Sequence, residues 1–343
     1  MIVNALPKLI NRENLSQSEA ETVMNQIMSG DATPAQIGAY LIALRMKGET
    51  IDEITGSARA MRAHSLKVTL SGSNEDLLDI VGTGGDGSNS FNISTAAALV
   101  IAATGRKVAK HGNRAASSKC GSADVLEAAG VTLELEPEQV AICIEKVGIG
   151  FMFAPIFHPA MKHAIVPRRE LKQRTIFNIL GPLTNPAGAT HQLTGVYDAE
   201  LTEPIAYVLG ELGCKSAMVI HSHDGLDELT TIGPNRISHL RPDGTVHTFE
   251  LEAKDLGIEN KQPESMTGGS IEKNLEMLRK TLEGKSEGSQ TDTVLLNAAA
   301  AMATEDGNIA TKLDEARAAL SSGAALRTLN DLAKVSQELA SQK

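Results

Sequence analysis

The chain has no tryptophan, and three tyrosines and six phenylalanines bring its aromatic share to only 3% of 343 residues. A core must therefore be built from Ala, Leu, Ile, Val and Met, and 42% hydrophobic residues supply enough material for one. Cysteine is scarce too. Cys120, Cys143 and Cys214 are odd in number, widely spaced and form no C-x-x-C. This argues against a disulfide framework and a zinc site, and predicts reduced thiols in a cytoplasm. Excess positive charge is also missing: a net charge of −10 speaks against a general nucleic-acid surface, while leaving room for a local basic patch around a small anion. No apolar run approaches the ~20 residues of a membrane span; the longest, residues 96–104, is about half that. The opening MIVNALPKLINREN lacks the basic region, apolar run and cleavage site of a secretory signal.

What is present divides the chain in two. Ser16-Gln17-Ser18-Glu19 is a capping box, which opens a helix that runs to Gly30. Thr33-Pro34 opens another, ending near Gly48, with proline at the first helical position where its missing N–H costs nothing. Thr50-Ile51-Asp52-Glu53 opens a third, reaching Ala63. Residues 1–70 read as a small helical bundle, serving as a lid, a dimer surface or a plain cap. From residue 76 strands and helices alternate. Strands are expected at 77–81, 107–109, 131–135, 149–153, 192–197 and 216–220, and helices at 94–104, 123–129, 137–147 and 201–212. Such alternation predicts an α/β fold with a mostly parallel sheet flanked by helices. Residues 175–186 read as an ordered connector, 284–290 as a loop, and 291–304 and 313–340 as Ala-rich helices.

Three segments carry chemistry. In GTGGDG, residues 82–87, Gly82, Gly84 and Gly87 fill the dinucleotide pattern G-x-G-x-x-G after an apolar run. The context contradicts that reading. A dinucleotide loop starts its helix at the last glycine, so that the amide dipoles meet the pyrophosphate; here the helix opens only near Ser94. The next strand ends in Lys107-Val108-Ala109-Lys110-His111, basic where an acidic residue should hold a ribose. Asp86 would repel a bare pyrophosphate unless a metal lay between them. A P-loop is excluded because no G-x-x-x-x-G-K-[ST] occurs. What remains is a glycine loop followed by Asn92-Ile93-Ser94-Thr95, whose hydroxyls either cap a helix or meet a phosphate or metal.

The second segment is Lys110-His111-Gly112-Asn113-Arg114-Ala115-Ala116-Ser117-Ser118-Lys119. It gathers three cations, an imidazole, an amide and two hydroxyls at the C-terminal end of a strand, where ligands of open parallel sheets bind. Its small residues let a phosphate approach the backbone. The third is Asp224-Gly225-Leu226-Asp227-Glu228 after an apolar strand, where a turn can aim two carboxylates at one hard cation such as Mg²⁺. Together the three describe a site for a multiply phosphorylated anion with Mg²⁺ and no dedicated nucleophile or base.

GTGGDG, FNIST, KHGNRAASSKCGSADVLE, HPAMKHAIVPRRELKQRTIFNILGPLTNP and DGLDELT, taken together, closely resemble the anthranilate phosphoribosyltransferases of tryptophan biosynthesis. The resemblance spans nearly the whole chain. It implies transfer of the phosphoribosyl group of phosphoribosyl pyrophosphate (PRPP) to the amine of anthranilate, two Mg²⁺ ions per monomer, and a cytoplasmic homodimer with no nucleic-acid or membrane partner. It implies a dimerising helical domain over 1–70, joined by helices from about 160–185, and an α/β phosphoribosyltransferase domain over 71–343. By the same resemblance the PRPP site comprises Gly82, Gly85, Asp86, Ser90, Asn92, Ile93, Ser94, Thr95, Lys110, His111, Gly112, Asn113, Arg114, Ala115, Ala116, Ser117, Ser118 and Ser122. Ser94, Asp227 and Glu228 are implied for the metal. Arg168 is implied to face the anthranilate carboxylate, with Gly82, Asn113, His111, His158 and Pro182 lining that site. Ala115, Ala116 and Cys120 depart from the small residues expected there, which matters little where backbone amides hold the phosphate. Two other readings stay open: a pyrimidine nucleoside phosphorylase, although its K-H-S-T-G-G loop is not matched, and a non-catalytic relative that binds nucleic acid.

Overall fold

The computed structural model describes residues 1–342 apart from 116–118, 260–262 and 287–288. Helices α1 (Ile2–Ile10), α2 (Gln17–Met28), α3 (Pro34–Lys47) and α4 (Ile51–Ala63) form the bundle at the N-terminus. Ser16, Thr33 and Thr50 each close a capping box, so that every one of these three starts satisfies two orphan amides. The apolar faces of the four helices meet around Leu9, Met24, Ile27, Leu41 and Leu44.

After the bundle the chain lays down β1 (Leu78–Gly82), α5 (Ile93–Ala103), β2 (Val108–Gly112), α6 (Ser122–Ala128), α7 (Pro137–Val147), β3 (Ile149–Phe153) and α8 (Ala154–Phe157). It returns through α9 (Lys162–Leu171) and α10 (Phe177–Leu180) to β4 (His191–Gly195), α11 (Thr202–Glu211) and β5 (Ser216–Ser222). A hairpin of β6 (Pro234–Leu240) and β7 (Val246–Glu252) follows, then α12 (Ile271–Leu282), α13 (Ser289–Met302), α14 (Ile309–Ser321) and α15 (Ala324–Ala340). The strands form one sheet in the order β3-β2-β1-β4-β5-β6-β7. The first five are parallel, and β6 and β7 are antiparallel. From β1 the connections run outward one way to β2 and β3, then the other way from β4. The order reverses between β1 and β4, the place where an open α/β sheet leaves a crevice at its strand ends.

Helix α5 is buried from Ile93 to Ala102 apart from Ser94, and its alanines let α13 and α15 pack closely against it. On the opposite face a second core cluster joins the bundle to Phe177, Leu180 and Leu183 and to α11, Ala217 and Val219.

The departures from expectation have local causes. Strand β2 continues to Gly112, so Lys110 and His111 sit within the sheet and not in a loop after it. Residues 131–135 alternate buried and partly exposed as a strand would, yet pair with no strand; the Thr132 amide instead meets Ser336 Oγ on α15 at 2.9 Å. Gly323, at φ +70°, divides the expected 313–340 helix into α14 and α15. The β6–β7 hairpin and α12 were not anticipated, although Pro242-Asp243-Gly244 is a turn signal, with Gly244 at φ +83°.

Candidate active site

The glycine loop leaves the end of β1 at the reversal point. Gly84, Gly85 and Gly87 all take φ between +63° and +76°, a region open to glycine at little cost. Gly82 and Gly195 are register partners on β1 and β4. A Cβ on Gly82 would lie 2.3 Å from Asp227 Oδ2, and one on Gly195 would lie 1.5 Å from the Asp227 carbonyl oxygen. Two bare strand ends thus make room for the turn that carries the acidic pair. The Gly84 amide donates to Asp227 Oδ2 at 2.6 Å, and the Ser94 amide, in the first turn of α5, donates to Glu228 Oε1 at 3.2 Å. Asp224 turns away: it accepts from Ser222 Oγ at 2.5 Å and Thr230 Oγ1 at 2.9 Å, and so fastens its own turn.

The electrostatics here are unbalanced. Burial pushes the Asp227 carboxyl up to about 6, with Asp86 adding repulsion. Glu228 is raised well above its ordinary range by burial and then by Asp227. Asp86 Oδ2 and Glu228 Oε2 are buried with no hydrogen-bond partner. Orphaned, mutually repelling carboxylate oxygens are the donor set of a hard dication. Among the described residues no three His, Cys, Asp or Glu side chains converge to hold an ion by themselves. That suits Mg²⁺, which keeps waters and takes substrate phosphates as ligands.

Lys110, 2% exposed, crosses under the loop. Its Nζ donates to the Ile80 carbonyl at 2.7 Å and lies 3.4 Å from Ser94 Oγ. Burial lowers its pKa, against the pull of Asp79 and Glu228. Asp79, a charged residue in the apolar LLDIV strand, accepts from the His111 amide at 3.3 Å and from Asn185 Nδ2 at 2.7 Å. His111 and His158 lie with ring centroids 5.0 Å apart. Burial holds both neutral, pushing them down to about 3 and about 4, and their Nε2 atoms have no partner. His111 meets the backbone of Gly181 and His158 that of Thr184, so both rings face the turn containing Pro182, whose carbonyl accepts from Gln192 Nε2 at 2.7 Å. Arg168, half-buried on α9, stacks 5.0 Å above the ring of Phe177, at the start of the helix that leads into this turn. Among the described residues no acidic side chain pairs with it.

The second loop closes on α6. Asp124 Oδ2 accepts from the amides of Ala115 (3.0 Å) and Gly121 (2.8 Å). Ser122 Oγ donates to the Asn113 carbonyl at 3.3 Å, and a Cβ on Gly112 would lie 2.3 Å from that hydroxyl oxygen. Arg114 pairs outward with Asp124 and Glu127, so its guanidinium is already engaged. Ser90 bridges to Thr267, while Ile93 and Thr95 are buried in α5. Ala116, Ser117 and Ser118 lie outside the described residues. The structure therefore gathers the glycine loop, the NIST turn, Lys110 and the acidic pair at one strand-end crevice, with the His111, His158 and Pro182 corner bordering it through β2.

Four residues escaped the sequence reading. Asp79 was visible as a lone charge in an apolar strand. Gly195 ends its strand as Gly82 does. Arg174 bonds to the Gly85 carbonyl and stacks 4.3 Å above the Tyr197 ring. Asn274, on α12, carried no motif.

A family profile described as the a/b domain of a glycosyl transferase family matches residues 74–326, and its helical bundle domain matches residues 3–65. The chain is 51% identical over 330 residues to anthranilate phosphoribosyltransferase of Thioalkalivibrio sulfidiphilus, covering 96% of both chains. It is 51% identical to that of Acetivibrio thermocellus, covering 96% of this chain and 95% of the other. Among solved structures it is similar to anthranilate phosphoribosyltransferase from Thermus thermophilus, with a TM-score of 0.91 and 42% identity over 97% of this chain and 99% of that one. It is similar also to the Saccharomyces cerevisiae enzyme in complex with PRPP and Mg, with a TM-score of 0.89 and 29% identity over 98% of each. Sharing about half its residues with such enzymes along nearly its whole length, and the two-part fold with their structures, the chain belongs to the anthranilate phosphoribosyltransferase family.

Proposed function

We infer that the chain transfers the phosphoribosyl group of PRPP to the amine of anthranilate, yielding N-(5-phosphoribosyl)anthranilate and pyrophosphate for tryptophan biosynthesis. The observation that carries this reading is the full-length likeness to anthranilate phosphoribosyltransferases, joined to a crevice in which two buried, mutually repelling carboxylates stand beside a glycine loop. The alternatives are not favoured: the relatives carry neither a phosphorylase name nor a nucleic-acid-binding one.

An aromatic amine brings its own lone pair, so attack on C1 of the ribose needs no deprotonating base. The difficult charges arise on the departing pyrophosphate and on the ribosyl carbon. In our assignment the amides of the glycine loop, the Ser94 turn and the second loop, including Ala116, Ser117 and Ser118, bind the PRPP phosphates, and Lys110 places its ammonium beside Ser94. Asp227, Glu228 and Ser94 hold Mg²⁺, two ions per monomer, with Asp86 facing the same space. When bound, Mg²⁺ neutralises charge developing on the leaving pyrophosphate. Arg168 meets the anthranilate carboxylate, while Gly82, Asn113, His111, His158 and Pro182 wall the ring. The two histidines, neutral through burial, leave Arg168 as the cation of that pocket. Catalysis then consists mainly of holding amine and C1 together.

We propose further that the enzyme is a cytoplasmic homodimer joined through its helical domain over 1–70 and the helices of 160–185. Exposed Val3 and Ile10 on α1, Met46 on α3, and Ile165 and Val166 on α9 support this, because α3 packs against both α1 and α9. Among the described residues no helix is long and apolar enough to cross a membrane.

One cuvette tests the reaction. Anthranilate fluorescence should fall only when PRPP and Mg²⁺ are both present, and a chelator should stop the decay. Fluorescence that stays constant with both added refutes the reading.

A further inference from the structure

Asn274 is 2% exposed, and nothing in the reaction as described uses it. A buried side-chain amide costs free energy unless its polar atoms are paired, and here they are paired toward the site. Its Oδ1 accepts from the Gly269 amide at 2.7 Å, and its Nδ2 donates to Asn92 Oδ1 at 3.0 Å. Asn92 Nδ2 then donates to the Cys120 carbonyl at 3.2 Å. The direction of this chain of bonds is fixed at both ends, because a backbone N–H can only donate and a backbone C=O can only accept. Turning either amide over would set donor against donor or acceptor against acceptor.

The same stretch grips the glycine loop itself. The Phe91 amide donates to the Met266 carbonyl at 2.9 Å, and the Gly268 amide to the Asn89 carbonyl at 2.8 Å. Thr267 and Ser90 form a bridge. A Cβ on Gly268 would lie 2.9 Å from Asn274 Oδ1 and 3.0 Å from the Ser90 carbonyl oxygen, so a side chain at position 268 would push this stretch off the loop. Residues 266–274 thus touch the tail of the first loop directly, and the second loop at Cys120 both through Asn274 and Asn92 to its carbonyl and from Asn274 to its thiol. Asn92 stands where α5 begins, between the two segments assigned to the phosphates.

We propose that Asn274 is a positioning residue that, through Asn92, holds the glycine loop and the second loop in one register for PRPP. This rests on the assignment of both loops to PRPP. It makes a wall outside every phosphate-facing motif a determinant of PRPP affinity and leaves anthranilate binding alone.

The test uses the full chain as wild type, Asn274→Asp, Asn274→Ser, Asn92→Ala and the two position-274 changes each combined with Asn92→Ala. Asn274→Asp keeps volume and the acceptor for Gly269, but removes the N–H that meets Asn92; Asn274→Ser, smaller and uncharged, withdraws both amide groups from Gly269 and Asn92. Melting identifies the variant that folds like wild type, and fluorescence gives kcat and both KM values. The PRPP KM should rise about tenfold, consistent with loss of one buried hydrogen bond, while the anthranilate KM changes less than twofold. The combined variant should fall well short of the product of the two single effects, because residues holding the same two loops do not act independently. An unchanged PRPP KM, effects that multiply, or an equal rise in both KM values overturns the proposal. So does unfolding of both position-274 variants, since the amide would then support the domain and not the loops. A wild-type chain that fails to consume anthranilate overturns the reaction instead.

Discussion

At the scale of single residues the site is a set of charges awaiting partners. Asp227 and Glu228 are buried side by side, and the bare protein bears their repulsion. Asp227→Asn combined with Glu228→Gln should therefore raise the melting temperature of the Mg²⁺-free chain, by about 1–2 °C per kcal/mol relieved at this size. It should also abolish Mg²⁺-dependent binding of PRPP; a double variant with unchanged metal dependence would falsify the metal assignment. Arg168 presents the converse case, a half-buried guanidinium whose burial lowers its pKa and which lacks an acidic partner among the described residues. A carboxylate that completes it contributes in the ground state, so Arg168→Ala should raise the anthranilate KM about ten- to a hundredfold with little change in kcat. A wild-type KM would refute the assignment. The histidines set a pH limit. Their folded-state values of about 3 and about 4 lie below the ordinary 6.5, so the unfolded chain takes up protons first as pH falls. The histidines' share of stability should be lost between about pH 6.5 and pH 3, while the raised carboxyls of Asp79 and Asp227 act in the opposite sense; the urea midpoint of His111→Gln with His158→Gln should therefore gain on that of wild type as pH falls through this range, and a constant difference would refute it. Residues such as Lys110, Ser94 and Asp227 were legible as candidates, because a phosphate and metal site demands small, basic and acidic residues next to strand ends, and the fold brings them to one crevice. Asn274 was not, since its partner lies 182 positions away and its own neighbourhood carries no pattern.

At the scale of elements the decisive contact is between β4 and the turn after β5. Gly195 has no side chain because the Asp227 backbone passes where a Cβ would stand. Gly195→Ala must displace that turn, and a shift of about 1 Å in a reacting group can cost a hundredfold. The variant should lose at least about a hundredfold in kcat/KM, with circular dichroism retaining the native fold; near-normal activity would show that the turn tolerates displacement. Helix starts were the most legible elements, because capping boxes at Ser16, Thr33 and Thr50 are local hydrogen-bond patterns written within four residues. Strand membership was less so. Residues 131–135 have the alternation of a strand but are covered by α15, and the amide of Thr132 finds its partner there. Whether an extended segment joins a sheet depends on which backbone lies beside it, and alternation reports only which side faces the core.

At the scale of the whole molecule two cores share one sheet. One lies under α5, α13 and α15; the other joins the bundle to α11 and the opposite face. Val3 and Ile10 on α1, Met46 on α3, and Ile165 and Val166 on α9 are exposed outside both cores, and the proposed dimer would cover them. Met46→Glu with Ile165→Glu should give monomers by sedimentation while each monomer keeps its fold; an unchanged dimer would move the interface elsewhere. By itself the sequence determined the α/β class, the helical N-terminal region and the family likeness from which the phosphate and metal residues are proposed. Those follow from periodicity, capping and chemical composition, all of which are local. Only the tertiary structure decided that Gly195 must be bare, that Asp79 ties His111 to Asn185, and that α12 reaches Asn92. Each depends on two backbones meeting across more than a hundred residues or across neighbouring strands, and the energy of such contacts comes from exclusion and desolvation at a place that no single segment specifies.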